Sequence, residues 1–194
     1  MRDEMAMDSV LTRWKRQLGA ASRAPEGGAG AVAQAPQFTD DENFVLKIVQ
    51  PALVGLMDGS VSTLAPIFAA AFVTGNPHIA FIIGLSAAVG AAISMGFAEG
   101  LSDDGVLTGR GHPVVRGAIT AGATFVGGVL HTLPFLLGDL QAALYLAYLI
   151  VGIELFVIAA IRYRYFKMNF FLSVLQVVVG GALVLAAGIL IGHG

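Results

Sequence analysis

Few side chains in this sequence can do chemistry once its apolar stretches are set aside, and Asp58 is the first of them. It stands in Leu-Met-Asp-Gly-Ser-Val-Ser-Thr at 56–63. A helix rises about 1.5 Å per residue, which places Asp58 about 16 Å beyond Lys47 and near the midplane of a bilayer. No Lys or Arg in the apolar helices can neutralise it, so the carboxyl must be protonated, hydrated or bound to a cation. Alternation among those states is what exchange of a cation for protons requires. Gly55, Gly59, Ser62 and Thr63 surround it with small and hydroxyl side chains, and Pro66 has no N–H to offer the Ser62 carbonyl. That carbonyl is then free for a cation or water, as at the broken helices of transporter sites, or the proline simply kinks the helix.

Met95 and Glu99 are four residues apart and share a helical face with Gly84, Ala88 and Ala91. With Asp58 and Ser62 they would form a ladder of oxygen and sulfur ligands reaching from one surface to the midplane. A thioether beside carboxylates leans away from Mg²⁺ and Ca²⁺ and towards Fe²⁺ or Mn²⁺. Met95 can equally be a gap filler. Glu154 is read either as a site residue or as a carboxylate paired with an interfacial arginine. His131 and His78 are expected towards the outer face, as receivers of a departing cation or as ordinary interfacial histidines. Asp103, Asp104 and His112 suit metal capture at the inner mouth, although Asp-Asp-Gly is also a common turn. Cysteine is absent, and no phosphate-binding loop, Ser-His-Asp set or His-Glu-x-x-His occurs, so the sequence reads as a non-enzyme with no permanently bound cofactor.

The elements that must position these residues are apolar. The 194 residues are 56% hydrophobic and 12% charged with a mean hydropathy of +0.78, which places the chain in a bilayer and gives no sign of a nucleic-acid partner. Five stretches near the roughly 20 residues needed to cross hydrocarbon are predicted at 46–73, 79–101, 114–137, 141–161 and 169–191. The third and fourth are joined so closely that an antiparallel hairpin is expected. The eleven Lys and Arg residues fall before the first span or at its start (Lys47), in the second-to-third connection and the turn that follows it (Arg110, Arg116), and in the fourth-to-fifth connection. That alternation predicts an all-α, five-span membrane protein with its N-terminus in the cytoplasm and its C-terminus outside.

Residues 1–43 are expected to be a cytoplasmic segment, with a basic amphipathic helix around Met7 to Leu18 or a disordered stretch there, and an Ala/Gly/Pro tether after it. Residues 44–194 form the transmembrane domain. No secretory leader precedes the first span, which must direct insertion itself. The second span carries two rows of small residues, Gly84, Ala88, Ala92, Gly96, Gly100 and Ser86, Gly90, Ser94, of the kind that lets helix backbones approach. It is expected to be central. Five helices enclose little space, so a homodimer with its pathway at or near the interface is expected.

On 56–63, Gly-Ala-Ala-Ile-Ser-Met-Gly-Phe-Ala-Glu at 90–99, Leu-Pro-Phe at 133–135 and the glycine-rich fifth span, the chain over 44–192 resembles the vacuolar iron transporter family. Ser-Asp-Asp-Gly at 102–105, Gly-Arg-Gly-His-Pro at 109–113 and His-Thr-Leu-Pro-Phe at 131–135 look closest to the membrane module of bacterial membrane-bound ferritin-type iron exporters. The resemblance implies a five-helix dimer of the bacterial inner membrane that exchanges Fe²⁺, or Mn²⁺, for protons and moves metal out of the cytoplasm. It implies that Asp58, Met95 and Glu99 carry the ion. The chain lacks the Glu-rich insertion of plant relatives, and residues 1–43 are too short for a ferritin-like bundle, which opens two other readings. One is a non-transporting membrane anchor for a separate ferritin-like, iron-storing partner. The other is a proton-coupled carrier of another small solute.

Overall fold

The computed structural model describes residues 38–193 apart from Leu107, so the N-terminal helix and most of the tether lie outside the described residues. All the regular structure among those residues is helical, with no strand. Five helices are long and apolar enough to cross a membrane: Asp40–Thr74, Pro77–Gly100, Pro113–Leu130, Leu140–Phe166 and Phe170–Gly192.

The first span is built from pieces. Helix α1 (Asp40–Phe44) starts on a reciprocal cap, in which the Thr39 hydroxyl accepts from the Glu42 N–H and the Glu42 carboxylate accepts from the Thr39 N–H. It widens into a π-helical turn at Val45–Val49, where the Gln50 N–H reaches the Val45 carbonyl. Pro51 follows at once and cannot donate to the previous turn, and a wider turn is one way to absorb that missing bond. Helix α2 (Gln50–Ser62) then runs to Thr63, and α3 (Leu64–Thr74) continues beyond it. The division falls where Pro66 leaves the Ser62 carbonyl without a main-chain donor.

Gly75, at φ +61°, ends α3, and the Asn76 side chain caps α4 (Pro77–Gly100) by accepting from the N–H groups of His78 and Ile79. Helix α5 (Pro113–Leu130) is capped by His112, and α6 (Leu140–Phe166) by Asp139. Helix α7 (Phe170–His193) completes the chain.

Helix α5, not α4, is the central one. It lies between α2 and α4, and glycines make both approaches. A Cβ on Gly55 or Gly59 would collide with the carbonyl oxygens of Thr120 or Thr124, and one on Gly127 would come within 2.8 Å of the Leu56 carbonyl oxygen. On the other side Gly96 faces Ala121 and the Gly117 carbonyl. The row from Gly84 to Gly100 is therefore used inside the chain. The second row of α4 is free, for Ser86, Gly90 and Ser94 are exposed and nothing lies within 4 Å of a Cβ placed on Gly90.

The expected third-to-fourth hairpin is not formed. Helix α5 stops at Leu130, earlier than the predicted 137, and a 3₁₀ segment at Leu133–Leu137 intervenes before Gly138 turns the chain with φ +78°. Helix α6 packs on this segment, on α7 and on α2. Pro134 in the 3₁₀ segment cannot donate to the Leu130 carbonyl, which is a physical reason for α5 to stop there. The main core lies at this end of the molecule, with Leu64, Ile67, Phe68, Phe135, Ala143 and Ala147 buried together and Tyr148 stacked on Phe68 at 4.9 Å. Glycines of α7 settle on α3, Gly188 against Ala65 and Gly192 against Ala69 and Phe72.

Candidate functional site

Asp58 lies five residues before Thr63, where the first span divides. Its side chain is half-buried, and among the described residues it enters no ion pair. Ser62 donates to the Asp58 main-chain carbonyl at 2.7 Å, and its Oγ stands 3.5 Å from the Asp58 carboxylate. Ser62 itself is exposed. A carboxylate and a hydroxyl thus sit together on the flank of a single chain, within an apolar span and beside a helix break.

Met95 is half-buried on α4, with Glu99 one turn further along. Glu99 is not an open ligand. Its Oε1 accepts from Arg110 at 2.6 Å and from the Nε of Arg116 at 3.0 Å. Arg116 also reaches Asp103 Oδ1 at 3.3 Å, the main-chain oxygens of Glu99, Asp103 and Gly111, and the Ser102 hydroxyl. At 1% exposure it is the most deeply buried charge of the four. Two arginines and two carboxylates form a closed quartet at the join of α4 and α5.

In the sequence Arg116 and Arg110 stand only as topological markers. The signal that could have found them is an arginine one turn inside an apolar helix, facing an acid across a short connection.

The residues expected to capture metal hold that connection together. Asp103 accepts from the Gly105 N–H at 2.6 Å and the Thr108 hydroxyl at 3.0 Å as well as from the two arginines. Desolvation pushes its carboxyl up, yet the Thr108 and Gly105 hydrogen bonds and the Arg116 guanidinium together outweigh this and hold it below the usual carboxylate range. Asp104 accepts from the Val106 N–H, and His112 accepts from the Val114 N–H as the α5 cap. Asp104 and His112 remain exposed.

His131 and Glu154 are brought together, although 23 positions apart. His131 follows α5 directly, and neither side chain faces a surface: His131 is 0% and Glu154 4% exposed. His131 Nδ1 lies 3.1 Å from Glu154 Oε2, and Nε2 lies 2.7 Å from the hydroxyl of Thr63 at the break in the first span. Among the described residues Glu154 pairs with His131 and with no arginine, which departs from the expectation of an interfacial arginine partner. Both nitrogens of His131 are engaged, unlike those of an outward-facing imidazole. His78, by contrast, lies exposed at the start of α4.

Among the described residues no three His, Asp or Glu side chains converge to hold a metal ion. Asp58 and Ser62 stand on α2, and Met95 and Glu99 on α4.

A sequence model described as the VIT family matches residues 101–193, which takes in the α4–α5 connection and the last three spans. No curated protein and no solved structure matches the chain. Asp58, Met95 and Glu99 lie outside the matched residues, while Arg110, Arg116, His131 and Glu154 lie within them. With five apolar helices long enough to span, the match supports a multi-pass membrane protein whose residues 101–193 are similar to the VIT family, a family of transporters and not of enzymes.

Proposed function

We propose that the chain is a proton-coupled exporter of divalent iron, with manganese as a second substrate, that acts as a homodimer in a bacterial inner membrane with its N-terminus inside and its C-terminus outside. The observation that carries this reading is the situation of Asp58. A carboxylate half-exposed on the flank of an apolar helix, with no cation partner among the described residues, would face hydrocarbon in an isolated chain at a cost of several kcal/mol. A second copy covering that flank encloses it, and a metal ion or a proton neutralises it. The exposed Ser86, Gly90 and Ser94 row supports close approach of such a copy.

Asp58 is the exchange site, with Ser62 as a hydroxyl ligand and Met95 favouring the softer ions. Glu99 receives metal only when Arg110 or Arg116 yields its carboxylate, so the quartet acts as a gate before the midplane. The exposed Asp104 and His112 attract cations to that gate. The test is quenching of a metal-sensitive dye in proteoliposomes, run with Fe²⁺, Mn²⁺, Zn²⁺ and Ca²⁺ across an imposed pH gradient. Fe²⁺ and Mn²⁺ are expected to move and to acidify or alkalinise the lumen in step. Metal flux indifferent to the gradient would remove the coupling.

A further inference from the structure

We propose that Glu154 and His131 form a buried proton-binding couple, separate from Asp58, that holds one exchangeable proton and sets the hydrogen bonding of the helix break at Thr63. The argument is a count of donors. Thr63 lies between α2 and α3 with its N–H turned to the Val61 carbonyl. Its hydroxyl has a single proton, and the Gly59 carbonyl 2.8 Å away can only accept it. At the 2.7 Å contact with His131 the ring must then donate, so Nε2 carries hydrogen. On the other side Nδ1 faces Glu154 Oε2 at 3.1 Å, and two bare acceptors cannot face each other there. A proton lies between them, either on the carboxyl or on an imidazolium. The two forms contain the same number of protons and are both neutral overall. Glu154 Oε1 is buried with no hydrogen-bond partner among the described residues, so Oε2 is the oxygen through which Glu154 meets the ring.

Loss of one proton has a defined outcome. From the imidazolium form the Nε2–H bond breaks, its electron pair stays on Nε2, and water takes the proton. The ring then donates from Nδ1 to the Glu154 carboxylate. Nε2 has become an acceptor, so the Thr63 hydroxyl turns to it and leaves the Gly59 carbonyl. Gly59 follows Asp58 directly, so a proton held on α6 and the end of α5 decides whether a main-chain oxygen next to the exchange carboxylate is bonded or available.

Other ionisable groups on the packed elements do not enter the couple. Asp58 on α2 is half-exposed and touches Ser62, Glu99 on α4 and Arg116 on α5 are tied into the quartet, Tyr148 on α6 stacks on Phe68, and α7 carries no charged side chain over Phe170–Gly192.

The functional role rests on the proposed metal–proton exchange, but the proton can be measured without metal. Full-length chain labelled with ¹⁵N-histidine is reconstituted in phospholipid vesicles, free of metal, and followed by NMR between about pH 5 and pH 9. The His131 signal is assigned by its loss in His131→Gln. It is expected to carry hydrogen on Nε2 at the acid end and on Nδ1 alone at the alkaline end. Glu154→Gln offers Nδ1 an amide donor and should lock Nε2–H at every pH. In proteoliposomes this variant should still pass Fe²⁺ but lose the dependence on the pH gradient. A wild-type His131 that keeps the same protonated nitrogen throughout, or a Glu154→Gln protein that titrates like wild type, overturns the proposal. The wild-type titration alone decides if the variant does not fold. A titrating His131 beside metal flux indifferent to pH would instead sustain the couple and remove the exporter reading.

Discussion

The Arg116 guanidinium meets the Glu99 carboxylate at 3.0 Å while being itself almost wholly withdrawn from solvent. Arg110 meets the same oxygen at 2.6 Å with 20% of its side chain exposed. The two arginines share a partner but not an environment, and the consequences of removing them differ.

Arg116→Ala leaves Glu99 and Asp103 half-buried with one cation between them, and should destabilise the chain by about 3–5 kcal/mol. Arg110→Ala should cost about 1 kcal/mol or less, as expected of a pair near solvent. Thermal unfolding in detergent, followed by helical circular dichroism, separates the two. Equal losses would mean that burial does not govern the quartet.

Asp103 gives the α4–α5 connection a pH dependence of known sign. Its folded value is depressed, so its contribution is fully present above the ordinary carboxylate value of about 3.9 and is lost as pH falls through the lowered one. Amide exchange over 101–112 should accelerate below that range and not between neutral pH and about pH 5. Thr108→Val removes one of the bonds that depress the value, and should move the acid transition upwards.

Asp58→Asn keeps shape and removes charge. The variant should insert and fold normally, because no cation within the described residues depends on Asp58, while Fe²⁺ flux in proteoliposomes falls to background. Met95→Leu conserves volume and should retain flux while losing preference for Fe²⁺ over harder ions. Wild-type flux in the Asn variant would exclude Asp58 as the exchange site.

The two small-residue rows of α4 make opposite predictions. A Cβ on Gly96 would stand 2.9 Å from that of Ala121, so Gly96→Leu should loosen α4 from α5 and lower the chain's own stability by about 1–3 kcal/mol. A Cβ on Gly90 meets nothing within 4 Å, so Gly90→Leu should leave unfolding unchanged while weakening self-association. Light-scattering mass in detergent, set beside the melting temperature, reads both. A Gly90→Leu protein with undiminished dimer content would place the contact elsewhere.

Much of this architecture is legible in the sequence because hydrocarbon thickness and the apolar runs constrain each other. The start and end of α4 came within two residues of prediction, and the division of the first span lies where Pro66 requires a missing bond. What escaped depends on contacts between distant segments. Nothing near His131 announces Glu154, since each is a lone polar residue in an apolar run and only packing joins them. Arg116 was legible as a positive charge at a span's edge, but its depth depends on how α5 lies against α4. The early end of α5 escaped because Leu133–Leu137 is as apolar as the helix before it, so hydropathy cannot tell a 3₁₀ turn from one more helical turn.

The division at Thr63 also separates two sets of neighbours. Helix α2 is locked to α5 through Gly55 and Gly59, whereas α3 is locked to α7 through Gly188 and Gly192. A Cβ on Gly55, Gly59 or Gly188 would stand within 3.0 Å of main-chain atoms of the facing helix, so both contacts depend on glycine. The two arms of the first span are thus seated on different helices through glycine, with Thr63 between them, while α4 packs against both arms. A change in the angle between the arms would bend the span at Thr63, whose side chain is held by the ring of His131.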